Sequence, residues 1–121
     1  MSRDPSKLKV FTIADQLVIK VYTATREFPI EERFALQSQI RRAAVSVPTN
    51  MVEGCARRSR RDYVHFMAIA LGSASEVRYL LGLAARLGYL AEATATELAA
   101  GYSDIVRGTQ ALIGSLSGPE A

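Results

Sequence analysis

The feature that most constrains this chain is a set of four amphipathic stretches, separated by only a few residues. In the first, about Lys9–Arg26, Val10, Phe11, Ala14, Leu17, Val18, Val21 and Tyr22 recur in steps of three and four. That spacing puts one apolar face on a helix. Phe28-Pro29 ends it, because the residue before a proline avoids helical geometry. The second stretch opens at Glu31-Glu32, acids suited to a first turn, and carries Phe34, Leu36, Ile40, Ala43, Ala44, Val47 and Met51 to about Ala56. Pro48 lies inside it. Proline has no N–H to give the Ala44 carbonyl, so one helix kinked at Pro48 is expected, since the stepping continues beyond it.

Ser59 reads as the N-cap of the third helix, with Asp62 three residues on. Tyr63, Phe66, Met67, Ala70, Ala74, Val77, Leu80, Leu81 and Ala84 form its apolar face, and Gly88 follows its end near Leu87. Gly72 and Gly82 each cost about 1 kcal/mol against alanine inside a helix, which predicts close approach of a neighbour. The fourth helix, about Glu92–Leu116, turns Leu98, Tyr102, Ile105, Val106, Leu112, Ile113 and Leu116 inward. Gly101, Gly108 and Gly114 weaken it, so it depends on packing. The expected fold is therefore all-α: an antiparallel up-down-up-down four-helix bundle, its second helix kinked at a proline. It is read as a single domain over 1–121, with tails at 1–8 and 117–121 expected to fray.

Several function classes find no support. His65 is the only histidine, so the acid-x-x-His step Asp62–His65 has no second half for a carboxylate-bridged metal site. One cysteine, Cys55, can make neither a thiolate zinc site nor an internal disulfide. It reads as a small buried residue, with nearby arginines that could activate it. No phosphate-binding glycine loop and no set of nucleophile, base and orienter occurs. The expectation is a non-enzyme without metal or cofactor. No apolar run approaches the ~20 residues of a membrane span, and the first residues lack a signal peptide's apolar stretch. A cytoplasmic location without a membrane partner is expected.

Charge is unevenly spread. The net of +3 divides into +1 for residues 1–40, +5 for 41–61 and −3 for 62–121. The basic middle holds Arg41, Arg42, Arg57, Arg58, Arg60 and Arg61 against Glu53 alone. Guanidinium groups pair with phosphate in a bidentate way that lysine cannot match, so these six are candidate nucleic-acid contacts. The other reading is a solvated helix end or ion pairs between subunits. No aromatic residue alternates with the arginines, so a base-stacking platform is not indicated. Asn50 and Glu53, beside the apolar stripe, are either ligand groups or hydrogen-bonding groups that hold the kink or an interface. Val45, Val52, Ile69 and Leu71 lie off the main stripes, which predicts a homo-oligomer.

The most specific stretch is Ile40-Arg41-Arg42-Ala43-Ala44-Val45-Ser46-Val47-Pro48-Thr49-Asn50-Met51-Val52-Glu53-Gly54, followed by Arg57-Arg58-Ser59, Tyr63–Met67 and Ala70–Glu76 with Gly72. With Val21-Tyr22, Thr25, Phe28-Pro29, Glu32, Phe34, Leu36 and Leu87-Gly88-Tyr89-Leu90, it resembles the four-helix bundle proteins of the 23S rRNA intervening-sequence family. Met51-Val52 stands where Ile-Ala is more usual. The resemblance implies an antiparallel four-helix bundle, assembly as a homopentamer, and for some members a gene inserted within a large-subunit rRNA gene. A similar branch, the accessory proteins of diversity-generating retroelements, implies RNA or DNA and a reverse transcriptase as partners.

Overall fold

A computed structural model describes residues 3–116. The tail expected at 117–121, and residues 1 and 2, lie outside the described residues. Four helices follow in order: α1 (Lys9–Ala24), α2 (Leu36–Cys55), α3 (Arg60–Arg86) and α4 (Glu92–Leu116). Short 3₁₀ turns at Pro5–Lys7 and Ile30–Glu32 precede α1 and α2, and the described residues contain no strand.

Each helix packs on two neighbours, α1 on α2 and α4, and α3 on α2 and α4, which closes a bundle around one core. In two of these pairs, α2 with α3 and α1 with α4, residue numbers rise in one helix as they fall in the other. Gly54 meets Phe66 while Ser46 meets Ser73, and Leu17 meets Gly101 while Val10 meets Gly108. The core is the one the stepping predicts: Ala14, Leu17 and Val21 from α1, Ile40 to Met51 from α2, Tyr63 to Ala84 from α3, and Leu98 to Val106 from α4. α2 runs unbroken through Pro48, which is itself buried.

Several boundaries and roles differ from the expectation. α2 begins at Leu36, not at Glu31. Glu32 still serves it from outside: its carboxylate accepts from Leu36 N at 3.2 Å, satisfying one of the free donors of the first turn. Phe34, expected in the apolar stripe, is 89% exposed, because it lies in the turn before the helix. Within residues 3–8, part of the expected tail, Arg3 and Asp4 make defined contacts. Arg3 N donates to Cys55 O at 2.6 Å, the Arg3 guanidinium stacks 4.0 Å from the Tyr63 ring centroid, and Asp4 caps the first 3₁₀ turn.

The glycines also trade roles. A Cβ on Gly72 or Gly82 would meet nothing within 4 Å, so neither marks a close approach within the chain. The close approaches fall elsewhere. A Cβ on Gly108 would come 2.6 Å from Val10, one on Gly101 2.9 Å from Leu17, and one on Gly54 3.0 Å from Phe66 Cβ. Gly88 does stop α3: at φ +80°, it donates to Ala85 O and Tyr89 donates to Ala84 O, a Schellman ending.

By length and composition α3 is the one helix among the described residues that could cross a membrane. This differs from the expectation that no apolar run approaches that length. Its apolar face lies between α2 and α4 in the core.

Candidate nucleic-acid interface

The α2–α3 connection is shaped by Ser59. Its extended backbone and side-chain oxygen, which accepts from Asp62 N at 3.0 Å, start α3 at Arg60. Arg57 and Arg58 therefore sit in the connection, with Arg60 and Arg61 in the first turn of a 27-residue helix. All four side chains are exposed. Arg57 lies 3.4 Å from Glu53 Oε2 and 4.8 Å from the Phe66 ring centroid. Arg58 and Arg60 each have a further partner. A helix N-terminus carries the positive end of its dipole. Three cations within two residues of it, with Asp62 the only acid in the first turn, make a region that favours an anion.

The other two candidate arginines part company. Arg42 is exposed on α2. Arg41 is tied down at the C-terminal end of α1: Nε donates to Thr25 Oγ1 at 2.8 Å, Nη2 to Tyr22 O at 3.1 Å, and the guanidinium lies 4.5 Å from the Tyr22 ring centroid. Gln37 Nε2 donates to Thr25 O at 2.7 Å. These side chains add donors to the carbonyls at the end of α1, where Thr25 O also accepts from Phe28 N at 3.2 Å.

Asn50 takes its structural role. Its Nδ2 donates to Ser46 O at 2.8 Å and lies 2.9 Å from Ser46 Oγ, which in turn pairs with Ser73 Oγ of α3 at 2.8 Å. Glu53 is exposed and pairs with Arg57. Gly54 lets α3 approach, and Gly72 lies open on the surface of α3.

Burial pushes the Cys55 thiol up, with Arg3 only partly opposing it, so the thiol is held away from its reactive form. His65 is exposed, and the described residues hold no group of three His, Cys, Asp or Glu side chains suited to a metal.

Sequence reasoning missed three residues. Arg26 and Arg33 share a cleft with Arg41 although they stand seven and eight residues apart. Tyr89, whose hydroxyl donates to Glu32 Oε2 at 3.1 Å, ties the α3–α4 turn to the α1–α2 turn. The Phe28 and Tyr89 rings also meet, 5.7 Å apart, and their positions beside Pro29 and Gly88 were the available signal.

The family model of the 23S rRNA-intervening sequence proteins matches residues 6–111. The chain belongs to that family. Its fold is similar to a crystal structure from Bacteroides thetaiotaomicron, described as a protein of unknown function from the S23 ribosomal protein family. The TM-score is 0.80 at 23% identity, covering 87% of this chain and 95% of the other. No curated protein matches the chain.

Proposed function

We propose that this family member is a non-enzymatic, homo-oligomeric accessory protein of the cytoplasm that binds RNA or DNA with little regard for sequence. Arg57, Arg58, Arg60 and Arg61 are its main contacts, and Arg42, exposed nearer the start of α2, is a secondary one. The observation that carries the reading is the placement of all four guanidinium groups, exposed, at the N-terminal end of α3. A polyanion there neutralises charges that the helix dipole disfavours, and releases its own counterions. In a ring of copies, with the pentamer drawn from the resemblance, the cluster repeats and the contacts act together. In a retroelement setting the second partner would be a reverse transcriptase.

A protein-only assembly module is the second reading. It is favoured by Val45, Val52 and Ile69, which are 39%, 46% and 38% exposed on α2 and α3. Exposed apolar area of this kind often marks an interface.

Fluorescence anisotropy of a labelled oligonucleotide, read beside light scattering, tests both. The expected result is an oligomer that binds tightly at low salt, and weakly once Arg57, Arg58, Arg60 and Arg61 are alanine. An oligomer that never binds leaves the assembly reading. A monomer of 13.2 kDa removes the oligomer from either.

A further inference from the structure

We propose that the cleft beside the end of α1 binds an organic phosphate of about nucleotide size. This site is separate from the α2–α3 arginine cluster and does not depend on it. The cleft has a volume of about 400 Å³, within the range of small-ligand sites, and is lined by Arg26, Arg33, Arg41, Gln37 and the Phe28–Ile30 segment. Its three guanidinium groups come from three places: the segment after α1, the turn before α2, and the second turn of α2.

Among the described residues no acid lines the cleft. Glu27 and Glu31 are exposed on the same connection but outside it, and Glu32 is engaged with Leu36 N and Tyr89. Three like charges around so small a space repel one another, and an anion placed among them relieves the repulsion.

The geometry also prepares the site. Two hydrogen bonds and the Tyr22 ring fix Arg41, while Gln37 is held by Thr25 O. Fixed donors lose little freedom on binding. A carboxylate offers two oxygens and one charge, which a single arginine can serve. A phosphate monoester offers three terminal oxygens and close to two charges, a better match for three arginines. Phe28, Pro29 and Ile30 form an apolar wall beside the arginines, suited to the body that carries the phosphate.

Isothermal titration of the full chain with adenosine monophosphate and with adenosine tests the site. The nucleotide should bind at least tenfold more tightly than the nucleoside. Replacing both exposed arginines (R26A/R33A) should weaken nucleotide binding at least tenfold with unchanged helicity, and R26Q/R33Q should do the same. The control K20A/R107A, which removes two charges elsewhere, should leave it unchanged. An oligonucleotide with and without a 5′ phosphate identifies the source. If the phosphate raises affinity only while Arg26 and Arg33 are present, the ligand is a strand end; if it makes no difference, the ligand is a free organic phosphate. Equal binding of nucleotide and nucleoside, or full binding by both double variants, overturns the proposal.

Discussion

The two ends of the bundle carry positive charge in opposite ways. At one end, Arg57, Arg58, Arg60 and Arg61 are neighbours in the chain and project from a connection and a helix start into solvent. At the other, Arg26, Arg33 and Arg41 are distant in sequence and converge on one cleft, with Arg41 held by Thr25 and Tyr22. The 20 residues of α2 separate them by roughly 30 Å. The first arrangement is exposed and broad, as suits a polyanion met in many registers. The second is partly fixed and concave, as suits a single anionic group. Density of charge along a chain and convergence of charge in space are different properties, and they serve different ligands.

The sharpest contrast should appear in stability. Arg41→Ala removes two hydrogen bonds from a charged donor, a loss of about 2 kcal/mol. Urea unfolding followed by circular dichroism measures it. A loss near zero would mean that the contacts of Arg41 with Thr25 and Tyr22 add nothing to stability.

Alkali probes the core that joins the two ends. Tyr63 below the cluster, Tyr102 in the middle and Tyr89 at the cleft all hold their protons above the ordinary phenol range near 10. Burial is the main cause for Tyr63 and Tyr102, and the hydrogen bond to Glu32 is the main cause for Tyr89. The unfolded chain gives up these protons first, so the stability they support is present below about pH 10 and falls as pH rises further. Tyr102, fully buried, should account for up to about 1.4 kcal/mol per pH unit on that limb. A Tyr102→Phe variant should show a shallower decline in urea midpoints above pH 10; an unchanged slope would remove Tyr102 from this account.

At the cluster end the effects are smaller. Ser59→Ala should cost about 1 kcal/mol, because it removes the cap on α3 without touching charge. Arg57→Ala should cost less than about 0.5 kcal/mol, since its pairing with Glu53 is exposed on both sides. If Arg57→Ala proved more damaging than Ser59→Ala in the same melts, the cluster would be part of the framework and no free contact surface.

Much of the fold was legible because helix periodicity is local. Ile40, Val47, Met51, Ala70, Val77 and Ile105 are fully buried where the stepping placed them, and Ser59 and Gly88 mark the ends of α3 as their chemistry requires. Phe34 was misplaced because periodicity cannot see that a turn has interrupted the helix. The glycines were misassigned for a related reason: a missing side chain marks either a close neighbour or open solvent, and only the neighbour decides. Gly101 and Gly108 face α1, whereas Gly72 and Gly82 face no atom within 4 Å. At the candidate sites, a run of arginines is visible in any sequence. The cleft of Arg26, Arg33 and Arg41 depends on how the α1–α2 connection folds back on α2, which spacing does not encode.

The central claim is that the two basic ends act separately, and one salt titration tests it most directly. A labelled oligonucleotide without terminal phosphate is bound to the wild type, to the variant with alanine at Arg57, Arg58, Arg60 and Arg61, and to R26A/R33A. Anisotropy gives the affinity of each over a range of salt concentrations. The account predicts that the four-residue variant loses up to about 3 from the slope of log affinity against log salt, at roughly 0.7–0.9 per phosphate contact. R26A/R33A should keep the wild-type slope. A slope that falls in R26A/R33A while the four-residue variant keeps its own would contradict the account, because the strand would then run through the cleft.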